Sequence, residues 1–437
     1  MLIDIEKLKN CNSVKVKLSE AAFNSYLHNV GEYFDALEGD SSKMKANEAV
    51  DVISILADFK EYFVSELEWE SLTRHLLNLI RLGVTKSTFN NVAIFSGLTH
   101  VAYSVYVLSV QAPKIKPFLQ GINDILLDKL NDFLRFSEKE EFYTVGNYEV
   151  IAGLTGPFRY LLDNIGDEQV NEMIERLIGV FLKRSKNITI LGYSVPGWHY
   201  FPSEMEASHM TETAPNGCIN YGVSHGMGGP LAVLSMAYHN GFDAEELKDA
   251  IDRLVSEYMN AVYYCNDVAY WPGRISIEQY IGQVERQMKP NQMSWCYGSP
   301  GNLRALYLAG VYTNNSKLKQ YAIDELIKIA DLDFDGFMLS QPIVCHGYAG
   351  TAAIMNLMYL DTGRNEFLHK TVEMTEASAM FSIERYFANA QQLANNANMD
   401  LRADLHSHLE GYNGIIHTIL SIIKGLPSEN EKRLLML

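Results

Sequence analysis

Cysteine is scarce in this chain, basic residues are outnumbered, and long apolar runs are missing; each shortage excludes something. Five cysteines in 437 residues (Cys11, Cys218, Cys265, Cys296 and Cys345) are too few for a disulfide framework. They read as free thiols in a reducing, cytoplasmic setting, where a functional cysteine would be a metal ligand or a nucleophile. No stretch approaches about 18 consecutive apolar residues, so no membrane-spanning helix is expected. The first residues lack a basic stretch followed by an apolar one, so no secretory signal is expected. Lys and Arg number 36 against 53 Asp and Glu, a net charge of −17. That field repels phosphate backbones and disfavours nucleic acid as a partner, whereas a cationic partner would be attracted. Gly-, Pro- or Ser-rich linkers and low-complexity tracts are absent too. With 47% hydrophobic residues the chain can bury a sizeable core, and we read 1–437 as one domain.

What the sequence does have is a repeat. Glycine pairs spaced G-x-x-G recur at Gly153 and Gly156, Gly226 and Gly229, Gly298 and Gly301, Gly347 and Gly350, and Gly411 and Gly414, with a variant at Gly97 and His100. Each heads a run that is apolar nearly all round, the pattern of a buried helix. Between the runs lie one-sided amphipathic stretches at 115–135, 168–185, 244–262 and 317–332, with apolar residues recurring at three and four. Asp243 followed by Glu246 reads as a capping signal for the third of these. One buried and one half-exposed helix per unit predicts an all-α fold: an α/α toroid of six to seven helix pairs, its glycine corners gathered at one end. Glycine at a corner allows close backbone approach and sharp turning. Residues 187–223 break the pattern with Gly, Pro, aromatics and β-formers, and predict a small non-helical, β-containing insertion.

Metal-competent side chains cluster at three successive corners: Ser224-His225, Ser294 to Tyr297, and Cys345-His346. A lone cysteine is ordinarily a small core residue and a lone histidine a structural one. Here Cys296, Cys345 and His346 all stand one or two residues before repeat glycines, which a toroid brings to one mouth. Two thiolates and an imidazole suit Zn2+, one per chain, and three protein ligands leave a fourth position open. Such an ion either activates water or holds a thiol as thiolate; two cysteine ligands donate charge and tilt the site towards thiol alkylation. Cys11, Cys218 and Cys265 have no such placement, and His406 and His408 read as a solvated helix edge.

The motifs S-W-C-Y-G-x-P-G (294–301), C-H-G-x-x-G (345–350), S-H-G-x-x-G-P (224–230) and Y-E-V-I-A-G-L-T-G (148–156) resemble the lanthionine synthetase C-like family, and within it the stand-alone class I lantibiotic cyclases. The resemblance spans roughly residues 90–425. It implies a toroid with one catalytic zinc held by Cys296, Cys345 and His346. It implies addition of a precursor-peptide cysteine to dehydroalanine or dehydrobutyrine, giving a (methyl)lanthionine thioether. It assigns His225 acid–base work and gives Tyr297 a role in enolate stabilisation. Glu149 stands where the family often has aspartate, and Gln292 where it often has arginine, with Arg274 or Arg286 as spatial substitutes. Trp271 and Trp295 read as packing. The implied partners are a dehydrated precursor peptide with a cationic core, and a dehydratase and an exporter at the inner face of the membrane, where the protein would be peripheral. The 187–223 insertion is a candidate recognition surface. The same features fit a second reading, a non-catalytic zinc-containing thiol- or peptide-binding scaffold. A toroidal prenyltransferase would use Asp-Cys-His, and a ring glycosidase would need two carboxylates across the mouth; the corner motifs match neither.

Overall fold

The computed structural model describes residues 2–11, 16–138, 147–201, 214–242, 244–397 and 405–436. Fourteen helices build the double ring among these residues: α1 (Glu20–Asp40), α2 (Ala46–Phe59), α3 (Glu66–Thr85), α4 (Leu98–Gln111), α5 (Lys116–Ser137), α6 (Thr155–Leu162), α7 (Glu168–Arg184), α8 (Gly228–His239), α9 (Ala244–Ala261), α10 (Ser299–Tyr312), α11 (Ser316–Ala330), α12 (Tyr348–Thr362), α13 (Asn365–Ala379) and α14 (Tyr412–Lys424), and a further helix, Ile383–Ala397, packs on α1 outside the pairing. Even-numbered helices form an inner ring, in which α2, α4, α6, α8, α10, α12 and α14 each touch the next and α14 returns to α2. Each inner helix packs on the outer helix that follows it, and α14 packs on α1. The predicted α/α toroid therefore closes with seven pairs, the last built from the two ends of the chain. The first 85 residues hold the local pair α2/α3 and also α1, whose partner α14 lies at the other end of the sequence.

Burial follows the patterning. Every residue of α12 from Tyr348 to Met358 is buried, as is every residue of α14 from Tyr412 to Ile423. Outer helix α7 buries Val170, Met173, Ile174, Leu177, Ile178 and Phe181 on one side and turns its carboxylates outward, while Arg184 at its end is buried and donates to Gly197 O (3.2 Å). Asp243, read as a cap for α9, lies outside the described residues.

The insertion is β-containing as predicted: β1 (Asn187–Ile190) and β2 (Tyr193–Pro196) form an antiparallel hairpin, and β3 (Cys218–Asn220) follows. A second non-helical stretch, between α9 and α10, was not anticipated. There β4 (Tyr263–Cys265) and β5 (Val268–Tyr270) form a hairpin, and β6 (Arg274–Ser276) pairs antiparallel with β3, placing Asn220 opposite Arg274. The signal was present in the sequence: Asn266 and Asp267 take left-handed φ of 50° and 64°, the demand of a tight hairpin turn that these residues meet cheaply.

At the corners the motif glycines supply room rather than handedness, since none of them has positive φ. A Cβ on Gly301 would overlap the carbonyl oxygen of Trp295, and one on Gly350 that of Val344. Both are the carbonyls directly before a corner cysteine. The corners are stitched to one another by backbone hydrogen bonds. Val150 N–H donates to Ser224 O (2.9 Å), Val223 N–H to Cys296 O (2.8 Å), Cys296 N–H to Cys345 O (3.2 Å) and Cys345 N–H to Leu409 O (3.0 Å).

The 3-10 segment Glu429–Leu434 fills the interior of the ring. Asp58 of α2 accepts from Ser428 Oγ (3.0 Å) and Asn430 Nδ2 (3.1 Å), and Arg433 donates to Ser104 Oγ of α4 (2.9 Å). Leu434 O accepts the indole N–H of Trp295 (2.9 Å). The same interior corrects the reading of His406 and His408 as solvated. His406 meets Tyr33 Oη at 3.2 Å, and the buried His408 ring lies 5.3 Å from that of His417. Burial holds His408 well below the ordinary histidine range, so it is neutral there. The closing pair α14/α1 covers these side chains, and no local pattern announces such cover.

Two stability predictions follow. Gly350→Ala should lower the unfolding free energy, read from denaturation curves, by roughly 1–3 kcal/mol through overpacking. Gly121→Ala, in open space on α5, should be neutral or raise stability by up to about 1 kcal/mol. Equal effects at the two sites would refute the crowding argument. Glu431 is buried in the ring interior, and burial raises its pKa to about 7 despite a hydrogen bond from Ser421. The unfolded carboxyl loses its proton first, so stability should fall as pH rises from about 4.5 to 7, by on the order of 3 kcal/mol. Glu431→Gln should flatten that slope in denaturation curves taken across the interval; an unchanged slope would remove Glu431 as its source.

Candidate metal centre

The stitched corners present two positions to the mouth of the ring: the residue immediately before the first glycine and the one before that. In four consecutive corners the former is His225, Tyr297, His346 and Glu410. All four line one cavity of about 670 Å³, together with Ser224, Cys296, Cys345, Arg274 and Gln292. Ring closure thus brings together side chains nearly two hundred residues apart.

Cys296, Cys345 and His346 converge at one spot, their Sγ and ring-nitrogen atoms all within 4.8 Å of one another. Zinc bonds of about 2.3 Å to sulfur and 2.1 Å to nitrogen span separations of that order. The backbone holds these donors: Cys296 N–H is bonded to Cys345 O, and the Gln292 side-chain amide donates to His346 O. Ser294 Oγ lies 3.6 Å from Cys296 Sγ. A hydrogen bond from Cys345 holds the Cys296 thiol well below the usual thiol range, and the same bond, with burial, pushes Cys345 well up. Thiolate character is therefore drawn to Cys296 rather than Cys345. Burial opposes charge on His346, but the hydrogen bond and charge of Cys296 outweigh it and raise its pKa. Cationic character drawn to a thiolate is the donor chemistry that a soft divalent ion replaces. Both motifs end on helix N-caps, Gly298 of α10 and Gly347 of α12, where the helix dipole favours negative charge. The set fits zinc.

Beside it, His225 Nδ1 meets Glu149 Oε2 at 2.6 Å. Glu149 is 1% exposed and also accepts the backbone N–H groups of Ile151 (3.0 Å) and Ala152. A carboxylate buried with three donors is satisfied and immobile, and it fixes the imidazole that it holds. The His225 side chain is 43% exposed, with Nε2 left for the cavity. The 148–156 motif reaches His225 because Val150 is tied to Ser224. Tyr297 packs its ring 6.2 Å from that of His225, and its oxygen accepts from Asn220 Nδ2 (3.1 Å). Burial raises the Tyr297 pKa although Arg274 and Asn220 pull it down, so the phenol keeps its proton at neutral pH.

Every candidate site residue from the sequence thus reaches one place. Of the two arginines considered as substitutes, Arg274 lines the cavity. Arg286 does not; it donates to the carbonyls of Gln279 (3.1 Å) and Tyr280 (3.3 Å). Trp271 and Trp295 are buried, with N–H groups on Tyr258 O and Leu434 O. Cys11, Cys218 and Cys265 stay away from the cluster. Sequence reasoning missed Glu410. The signal was its position directly before Gly411, equivalent to His225, Tyr297 and His346.

Residues 60–435 match the family model described as lanthionine synthetase C-like protein. The nisin biosynthesis protein NisC of Lactococcus lactis subsp. lactis is 26% identical over 324 residues, covering 70% of this chain and 71% of its own. The solved structure of a nisin cyclase superposes with a TM-score of 0.79 at 20% identity, covering 94% of this chain and 97% of that one; that likeness is one of fold.

Zinc titration against a chromophoric chelator should give about one tightly bound ion per chain. Cys345→Ala should abolish that uptake at stoichiometric zinc, while Glu410→Gln, outside the donor set, should keep it. Full uptake by Cys345→Ala would dismiss the cluster as a metal centre.

Proposed function

The chain belongs to the lanthionine synthetase C-like family, and from that membership we propose a zinc-dependent cyclase that joins cysteine thiols of a dehydrated precursor peptide to dehydroalanine or dehydrobutyrine. The observation that carries this reading is the open Cys2His donor set with the Glu149–His225 pair beside it in one cavity. We read the chain as a single domain serving that one site. Its proposed partners are the precursor peptide, the dehydratase that must supply the unsaturated residues, and an exporter.

Zinc held by Cys296, Cys345 and His346 would supply a Lewis acid that keeps an incoming thiol as thiolate at neutral pH. The protein's own groups do the rest. His225 takes the thiol proton at Nε2 while Glu149 holds Nδ1–H and stabilises the resulting imidazolium. The C–S bond forms at the β-carbon as the C=C π bond opens, and charge builds on the substrate carbonyl oxygen. The Tyr297 O–H is a donor positioned to meet that oxygen. His225 then returns its proton to the α-carbon. The S–H and π bonds are exchanged for C–S and C–H bonds, with no leaving group and no redox change.

Glu149 is a positioning residue in this scheme and keeps the role that an aspartate would have, its longer arm anchored by the Ile151 and Ala152 amides. His225→Ala should retain zinc and lose about 10²–10⁴-fold in cyclisation rate, followed by mass spectrometry of thiol-blocked products. Glu149→Gln should keep zinc, lower the rate less, and move the pH–rate profile. Full zinc content with no turnover by the wild type would favour the thiol- or peptide-binding scaffold instead.

A further inference from the structure

A second cavity, of about 550 Å³, opens directly off the first and shares Gly273, Arg274 and Asn291 with it. It runs along the stretch between β6 and α10 that interrupts the helical repeat. Its charge is opposite to that of the chain. Three cations line it, Arg274, Arg286 and Lys289, against one carboxylate, Glu285, whereas the whole chain carries −17. Its outer edge is apolar and open: Val284 is 51% exposed and Met288 66%. Arg286 is fixed by the carbonyls of Gln279 and Tyr280, so its charge is held in place. Tyr263, also in the lining, is tied to Lys289 O (2.9 Å) and anchors the far wall.

We propose that this cavity binds an acidic, apolar-flanked segment of the peptide substrate, separate from the segment that reacts. The inference rests on the cyclase reading for the identity of the ligand, but on the charge and continuity of the two cavities for its place. An extended chain whose cysteine sits at the metal centre must leave the first cavity, and the shared residues make the second one an exit. A local excess of positive charge in an acidic protein selects the sign of what lies there, because like charges meeting across a contact are penalised. A cationic segment is drawn towards the chain as a whole and refused by this cavity. An acidic segment is held here, with Met288 and Val284 against its apolar residues. The arrangement orients a peptide with charge of both signs, its acidic part outward along 273–291 and the remainder over the metal centre. It moves the recognition surface expected at 187–223 towards the second non-helical stretch; residues 202–213 of the former lie outside the described residues.

The test uses two fluorescein-labelled ten-residue peptides without cysteine, one alternating aspartate with leucine and the other lysine with leucine, and reads fluorescence anisotropy with the full chain. The aspartate peptide should bind more tightly than the lysine peptide, with affinity falling as salt rises. Lys289→Glu, at an exposed position with no role in the metal centre, should weaken the aspartate peptide about fivefold or more and leave zinc content unchanged. Met288→Asp should weaken it as well. Cys296→Ala should lose zinc and keep the peptide, which separates this site from the cyclase reading: failure of zinc binding or turnover leaves the peptide result standing. Equal binding of the two peptides, or an aspartate affinity unmoved by Lys289→Glu in a protein whose melting curve matches wild type, would overturn the proposal.

Discussion

The site depends on one constraint, the backbone hydrogen bonds that tie five successive corners of the inner ring to one another. They run from Val150 to Ser224, from Val223 to Cys296, from Cys296 to Cys345 and from Cys345 to Leu409. Each contributes only about 1 kcal/mol net, so their importance lies in geometry rather than stability. A peptide hydrogen bond fixes its partners to within a few tenths of an ångström. Strung around the mouth, these bonds set the spacing between side chains that share no local sequence. The two cysteines are themselves members of the string, so the donor set is a by-product of the way the ring closes. The second glycine of each motif is the counterpart of the constraint. Without room at Gly301 and Gly350 the preceding carbonyls could not tuck under the helix starts, and the cysteines would be pushed away from each other.

That geometry explains which parts of the molecule were legible beforehand. Helices α5, α7, α9 and α11 lie within two residues of the ranges read from periodicity, because a one-sided apolar stripe is a local signal. The donor triad was legible because its members hold equivalent places in a repeat. Glu410 was passed over although it holds the same place, since a carboxylate before glycine is unremarkable until the corner is known to face a cavity. His406 and His408 misled for the opposite reason. Polar spacing near a helix start looks solvated, and only the long-range closure of α14 against α1 and α2 covers them. The β3–β6 pairing joins residues more than fifty apart, and three-residue strands have no period to detect. What could not be read was contact between distant segments that hold no matching places in the repeat.

Electrostatics divides the molecule in a second way. The ring interior buries Glu431, Arg433, His408 and His417 behind apolar helices, with the half-buried Asp58 paired to His417 (2.9 Å) at its edge. Groups of both signs in a space of low dielectric hold one another, and removing one exposes the rest to an uncompensated field. The segment Glu429–Leu434 that supplies two of them also accepts the Trp295 indole N–H, one residue from Cys296. The interior plug and the metal centre are thus mechanically continuous through a single buried tryptophan. The outer surface carries the acidic excess, and the cavity beside the mouth reverses its sign.

The chemistry follows from keeping two tasks on separate groups. A donor set with two thiolates is electron-rich, which makes it a poor activator of water and a good holder of a reactive sulfur. Such a site has no proton to give, so carbon protonation must come from elsewhere in the cavity. In the proposed reaction His225 would answer that need, since Glu149 is buried and satisfied and holds the imidazole without competing for substrate. On that reading the one-methylene difference between glutamate and aspartate would matter little. Position is set by the Ile151 and Ala152 amides and by the Val150–Ser224 bond, not by the length of the arm. Gln292 has an analogous logic: an uncharged amide bound to His346 O steadies the donor loop, and positive charge enters the cavity from Arg274 on β6 instead. Arg274, on the strand that also borders the second cavity, lines both spaces, so that in the proposed reaction stabilisation of an enolate and binding of its neighbours would meet at one side chain.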